Sequence, residues 1–354
     1  MSREMQSRSY TVAGQTFTVA LEEPWHFMTY TPVVAERIRR AAAGEVLDIE
    51  PIRAGDDVPA RTYVTRKEEL PADMDRYTLD FSQYEPFACD APAQPLFSLR
   101  VRAAYPQWLQ EVLKDRSILL EILRVDNQLP WYYIFRFPDG RTLYEFEPTP
   151  GKIAGYLVVD KNDRDADFFP APNIGPYSTI HQISTVLMIL YTYNTALNGA
   201  LLMHASTVRF QGKAYVFLGT SGTGKSTHSR LWLENIAGTE LLNDDNPVIR
   251  VTDQGVRVYG SPWSGKTPCY KNEDAPVGAI VRLRQAPKNE IARLSLPQAY
   301  ASVMSSCSGF RPIRALADAQ HATIAAIAMQ TPCFQLDCLP DEAAARLCQS
   351  TVDG

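Results

Sequence analysis

Between the apolar stretch Ala214-Tyr-Val-Phe-Leu218 and a helix expected from about Lys225 to Ile236 lies Gly219-Thr-Ser-Gly-Thr-Gly-Lys-Ser226. No other passage limits the fold so tightly. The spacing G-x-x-x-x-G-K-[ST] has a mechanical reading. Glycines at 219, 222 and 224 let the backbone close around an anion without Cβ clashes, so that successive N–H groups and the helix N-terminus aim at phosphates. Lys225 then reaches the β- and γ-phosphates of a nucleotide such as ATP, and the Ser226 hydroxyl is placed to ligate Mg²⁺. The expected nucleotide-binding residues are Gly219, Thr220, Ser221, Gly222, Thr223, Gly224, Lys225, Ser226 and Thr227. Four fixed positions of this kind recur by chance in about one chain of this length in a hundred, and the strand–loop–helix setting makes an accident rarer still.

A second acidic element follows. The short apolar strand Glu240-Leu-Leu-Asn243 leads into Asp244-Asp245, and Asp244 stands nineteen residues after Lys225. Neighbouring side chains on a strand point to opposite faces, which suggests a division of labour: one carboxylate holds Mg²⁺, and the other is a general base. The competing reading is an acidic turn, since Asp-Asp-Asn-Pro is good turn chemistry. His204 lies fifteen residues before Gly219 on an expected strand, Leu201 to Phe210, where it is either a catalytic group or a satisfied strand histidine. The loop Gly260-Ser-Pro-Trp-Ser-Gly-Lys266 offers Ser264 and Lys266 to a phosphate or an acceptor substrate; the alternative is a surface turn in which Trp263 packs. Arg282 and Arg284 flank Leu283 on an expected strand from Val277 to Leu283 and so share a face, suited to neutralising transferred charge or simply solvated.

Composition narrows the classes of function. Of 354 residues, 35 are Lys or Arg and 40 are Asp or Glu, a net charge of −5 without the basic surplus that nucleic-acid binding requires. The most apolar stretch, Ile183 to Leu197, is broken by Ser184, Thr185, Thr192 and Asn194 and falls short of the ~18–20 apolar residues of a bilayer span. The six cysteines form no C-x-x-C pair, and Met1-Ser-Arg-Glu-Met-Gln is too polar to open a signal peptide, which points to the cytoplasm.

Two domains are expected, 1–175 and 176–354, joined near Phe169-Pro-Ala-Pro-Asn-Ile-Gly-Pro176. The first reads as α+β, with hairpins over Tyr10–Leu21 and over 131–146 and helical spacing from Pro106 to Leu123. The second reads as mixed α/β, opening with a helix over about 178–198 and closing with helices near 297–306, 316–330 and 341–350 around a strand from Cys333 to Cys338. Every phosphate-type motif lies after residue 200, so the first domain is assigned acceptor recognition.

The run Met203-His204-Ala-Ser-Thr, the glycine loop and Leu241-Leu-Asn-Asp244-Asp245 together resemble the nucleotide site of HPr kinase/phosphorylase and its phosphoenolpyruvate carboxykinase relatives. The similarity covers roughly residues 200 to 270. A weaker echo, Thr331-Pro-Cys-Phe-Gln-Leu-Asp337 before a short helix, is similar to HPr-kinase-related enzymes, among them kinases of lasso-peptide precursors. The resemblance implies an HPr-kinase-like nucleotide-binding domain with a P-loop. Within it, His204 would stand near the transferred phosphoryl group, Asp244 would be the base, and Asp245 with Ser226 would hold the metal. The expected activity is Mg²⁺- and ATP-dependent transfer of the γ-phosphoryl group to a hydroxyl, on a serine of a protein or peptide or on a small molecule. A homo-oligomer is left open. Two rival readings stand beside it: a nucleotide-binding regulatory protein with little catalysis, and a carboxykinase-like enzyme acting on a small metabolite.

Overall fold

The computed structural model describes residues 4–30, 35–37, 39–40, 76–125, 131–149, 151–172, 174–265, 267–309 and 313–353. The protein is mixed α/β, with two nine-stranded sheets and several helices. Two compact units divide it: the first takes most of the chain up to Asn194, and the second runs from Thr195 onward, with residues 12–14 counted in it.

The first unit is built on strands β1 (Met5–Val12), β2 (Gln15–Glu22), β3 (His26–Phe27), β4 (Thr78–Leu79), β5 (Ala88–Cys89), β6 (Ser98–Val101), β7 (Leu120–Val125), β8 (Trp131–Arg136), β9 (Thr142–Glu147), β10 (Gly155–Val159) and β11 (Asp165–Pro170). Its large sheet runs β5-β1-β2-β6-β11-β10-β9-β8-β7, while β3 and β4 pair separately. Both expected hairpins form, β1–β2 and β8–β9. The helical spacing of Pro106 to Leu123 holds only as far as α1 (Gln107–Lys114). The Asp115 carboxylate accepts the Ser117 backbone N–H at 3.0 Å, turning the chain, and residues 120–125 continue as strand β7 paired with β8. Ile118, one of the residues that extend the helical pattern, is exposed at this edge, as is Leu120. Helix α2 (Pro176–Thr195) buries Ile183, Leu187 and Tyr191 and passes into a single 3₁₀ turn, Ala196–Asn198. Among the described residues no helix is long and apolar enough to cross a membrane.

The second unit contains β12 (Ala200–Leu202), β13 (Ala205–Phe210), β14 (Lys213–Leu218), α3 (Lys225–Asn235), β15 (Glu240–Asp245), β16 (Val248–Thr252), β17 (Gly255–Tyr259), β18 (Asp274–Gln285), β19 (Glu290–Arg293), α4 (Leu296–Ser306), α5 (Arg314–Gln330), β20 (Cys333–Cys338) and α6 (Glu342–Val352). Its sheet runs β12-β16-β17-β18-β14-β13-β15, with β20 beside β18 and β19 beside β20. At the centre β14, β18 and β20 are parallel. Both faces of this centre are covered, and that explains the nearly continuous apolar run of β14. Ala214, Val216 and Leu218 pack with Ala299, Val303, Ile324 and Ile327 of α4 and α5, while Tyr215 and Phe217 pack with Trp232, Ala345 and Cys348 of α3 and α6.

Residues 201–210 do not form the single strand expected from their pattern. Leu202 pairs across to Val248 of β16, whereas Ala205 pairs with Leu218 of β14 and Asp245 of β15, so the chain changes partners at Met203-His204. The break is fixed from outside: the His204 N–H donates to Ser306 O at 2.7 Å and the Met203 N–H to Pro247 O at 3.0 Å. It leaves His204 at the end of β13. The register then aligns Asp245, Ala205, Leu218, Arg282 and Gln335 in one row across five strands, with the glycine loop springing from Leu218 at its middle.

Candidate functional site

The loop takes the shape its glycines permit. Gly222 and Gly224 have φ of 80° and 104°, left-handed values at which a Cβ is strained, and Gly224 caps the N-terminus of α3. The turn is closed by Thr223, whose N–H and Oγ1–H both donate to Thr220 O, at 3.2 and 2.7 Å. On its outer side Gln285 of β18 donates Nε2–H to Gly222 O at 3.2 Å and Thr223 O at 3.4 Å. An α-helix leaves its first N–H groups without intrahelical partners, and here these belong to the residues around Lys225, Ser226 and Thr227. Ser226 is exposed, Thr227 half-buried.

Lys225 is buried at the first position of α3 and has three acceptors for its three protons. Its Nζ donates to Gly219 O at 2.9 Å, to Thr220 O at 3.3 Å and to His204 Nε2 at 2.9 Å. Because an ammonium only donates, His204 Nε2 accepts, and the imidazole proton sits on Nδ1, 3.1 Å from Asp245 Oδ1. The other Asp245 oxygen accepts from Asn246 Nδ2 at 2.9 Å. Burial pulls the Lys225 ammonium below its ordinary range, opposed by the charges of Asp245 and Asp244. Lys225, His204 and Asp245 thus form one hydrogen-bonded chain, from the glycine loop to the end of β15.

The acidic pair divides as strand alternation requires. Asp244 is buried and Asp245 half-exposed, the latter at φ 135°, a conformation that costs a residue with a Cβ roughly 1–3 kcal/mol. Asp244 Oδ2 is buried and has no hydrogen-bond partner among the described residues. A carboxylate oxygen shut away from water in this way is an acceptor held ready for a proton or a cation. Asp244 is held in place through its backbone: the Gly265 N–H donates to Asp244 O, and the single Ser264 hydroxyl proton lies between that oxygen at 3.1 Å and Thr267 O at 2.7 Å. The close approach requires glycine, since a Cβ on Gly265 would lie 2.9 Å from Asp244 O. The loop after β17 therefore reaches the acidic pair. Trp263 is buried, and Lys266 lies outside the described residues.

On the opposite side of the glycine loop, Thr220–Thr223, Arg282, Arg284, Gln285 and Gln335 line an open cleft of about 450 Å³. Arg282 donates to Ser305 Oγ at 2.7 Å. Arg284 is exposed and pairs bidentately with Asp337, which raises the guanidinium and holds the Asp337 carboxyl below its ordinary range. His204, Lys225, Asp244, Asp245 and Ser264 come together on one side of the loop, and Arg284 stands on the other. Gln285, Asn246 and Ser264's backbone role escape sequence reasoning, although Gln285 at the C-terminal end of the strand beside the loop strand is a position that could draw attention.

Among the described residues there is no group of three or more His, Cys, Asp or Glu side chains that could hold a metal ion by themselves. The donors present, the Ser226 hydroxyl with a carboxylate of the acidic pair, are those of a Mg²⁺ completed by nucleotide phosphates, which takes one or two carboxylates from the protein. No known protein family matches the chain, and no curated protein matches it.

Proposed function

We propose that the second unit is an HPr-kinase-like P-loop domain that binds Mg-ATP and transfers the γ-phosphoryl group to a hydroxyl, on a serine of a protein or peptide. The observation that carries the reading is the buried, unpartnered Asp244 Oδ2 beside a glycine loop whose lysine is already engaged with His204 and Gly219 O. A nucleotide switch needs the loop and its lysine; a kinase needs in addition a base next to the transferred group. Asp244 supplies one. The loop N–H groups and the first turn of α3 bind the phosphates, and Lys225 exchanges its carbonyl and imidazole contacts for phosphate oxygens. Before that exchange His204, held by Asp245, keeps Lys225 at the mouth of the loop. Ser226 and Asp245 would hold Mg²⁺, which screens the charge of the β- and γ-phosphates. Asp244 Oδ2 takes the proton of the attacking hydroxyl.

Two variants test this. Lys225→Ala is expected to weaken Mg-ATP binding at least tenfold, about 1.4 kcal/mol, in calorimetry. Asp244→Asn is expected to keep that affinity and to lose ~10²–10⁴-fold in turnover, the usual worth of a positioned acid–base group. With the acceptor unidentified, phosphate release to water is the readout. Unchanged affinity in the first variant refutes the phosphate loop, and unchanged release in the second refutes the base and favours the regulatory reading.

A further inference from the structure

A second cleft opens on the glycine loop, at its helical end. Gly222–Gly224 and Thr227 form one side of it, Leu231 and Leu283 the floor, and Ala286 with Cys338–Pro340 the far wall, enclosing about 380 Å³. That volume lies within the ~300–1,000 Å³ typical of small-molecule sites. Its character differs from that of the neighbouring cleft. Arg282 and Arg284, the latter paired with Asp337, line the first, whereas no Asp, Glu, Lys or Arg lines the second, and its histidine, His228, is kept neutral by burial. His228 Nε2 accepts from Trp232 Nε1 at 3.2 Å, and since an indole only donates, the imidazole there is uncharged.

Resting on the phosphate-loop reading above, we propose that this uncharged cleft is the nucleoside site, and that it takes the base by apolar packing with little reading of its edges. Three observations converge. The cleft begins at Thr227, two residues after Lys225 on α3, so the end of a triphosphate remote from Lys225 would leave the loop there. Its walls carry no charged side chain and set Leu231, Leu283, Ala286, Leu339 and Pro340 beside neutral polar groups, which suits a flat heterocycle and does not suit a phosphate or an acidic side chain. Backbone N–H donors of the far wall are already committed: the Ala286 N–H donates to Cys338 O at 3.2 Å, the Leu339 N–H to Asn289 Oδ1 at 2.8 Å, and Pro340 has no N–H. Gln285, at the rim, spends its amide N–H groups on the loop carbonyls. A pocket of this kind discriminates weakly between rings of similar shape, so ATP and GTP should bind within about tenfold of each other.

The test compares Mg-ATP, Mg-GTP and inorganic tripolyphosphate on the full-length protein. Calorimetry is expected to show tripolyphosphate binding at least tenfold more weakly than ATP, and GTP within tenfold of ATP. Ala286→Trp, which fills the cleft, should lose at least tenfold in ATP affinity and leave tripolyphosphate within twofold. Leu339→Ala, at an exposed site that tolerates truncation, should lose about threefold for ATP alone. Alkylation gives a readout free of mutations: Cys338 in the far wall should be protected by Mg-ATP and not by tripolyphosphate, while exposed Cys89 reacts at one rate throughout. Equal affinity for ATP and tripolyphosphate with unprotected Cys338 would overturn the nucleoside site and leave the phosphate loop standing. A hundredfold preference between ATP and GTP would overturn the unread edges. Failure of all three ligands to bind would remove the phosphate loop itself, and with it this inference.

Discussion

The scaffold of the site carries a titratable group whose cost can be worked out. His228, 3 % exposed in the first turns of α3, lies edge-on to Phe217 with ring centroids 4.7 Å apart and accepts from Trp232. Burial alone lowers its pKa from 6.5 to about 4. A histidine whose folded value is depressed contributes its full share of stability above 6.5, where both states are neutral, and loses it as the pH falls toward 4, because only the unfolded chain takes up the proton. The loss amounts to about 2 kcal/mol at pH 5 and about 3 kcal/mol at pH 4 relative to neutral solution. In His228→Gln the amide oxygen can still accept from Trp232, but nothing titrates. Losing the ring contact with Phe217 lowers the variant's stability equally at every pH. The quantity to compare is therefore the change in stability between pH 7.5 and pH 5, measured by urea dependence of hydrogen exchange at the α3 amides. Wild type should lose about 2 kcal/mol more than the variant over that interval. Parallel losses in the two proteins would show that His228 is protonated without penalty, and the packing account of α3 would fall.

Two further outcomes concern the site. Asp245→Asn should raise the Mg²⁺ concentration required for half-maximal nucleotide binding, with affinity at saturating Mg²⁺ little changed; an unaltered Mg²⁺ dependence in calorimetry would remove Asp245 from the metal. Gln285→Ala, which deletes two hydrogen bonds to the loop from an exposed side chain, should weaken Mg-ATP about fivefold, near 1 kcal/mol, without shifting the melting temperature, and undiminished affinity would show that the loop holds its shape unaided.

What could be read from the sequence, and what could not, follows from the range over which the forces act. The loop, both hairpins, and the helices near 297–306, 316–330 and 341–350 are local: glycine conformations, turn residues and apolar periodicity determine them within a dozen positions. The region after Lys114 misleads for a matching reason. Ile118, Leu119 and Ile122 continue a helical spacing, but pairing with β8 outweighs propensity, as tertiary context often does. Residues 201–210 mislead in the opposite way. Their pattern is that of one strand, and only the separate demands of β16 on Leu202 and of β14 and β15 on Ala205 divide it.

That division places His204, which connects the local reading to the site. Alternation already gives position 204 the parity of Ser206, whose Oγ lies 2.6 Å from Ser229 Oγ of α3. Broken at Met203 and secured to Ser306 O and Pro247 O, the chain brings the imidazole between Lys225 Nζ and Asp245 Oδ1. Asp245 meets it by taking φ 135° at the last position of β15, while the preceding carboxylate stays buried and unpartnered. Sequence alternation could separate the two aspartates, but not say which would be exposed, because that depends on the sheet-wide register aligning Asp245 with Leu218 and Arg282. The same row explains why the two clefts differ. Strands β18 and β20 deliver Arg282 and Gln335 to the front of the loop and, a few residues later, Ala286 and Cys338 to its helical end. A single pair of parallel strands thereby supplies arginine side chains to one cleft and uncharged, largely aliphatic residues to the other.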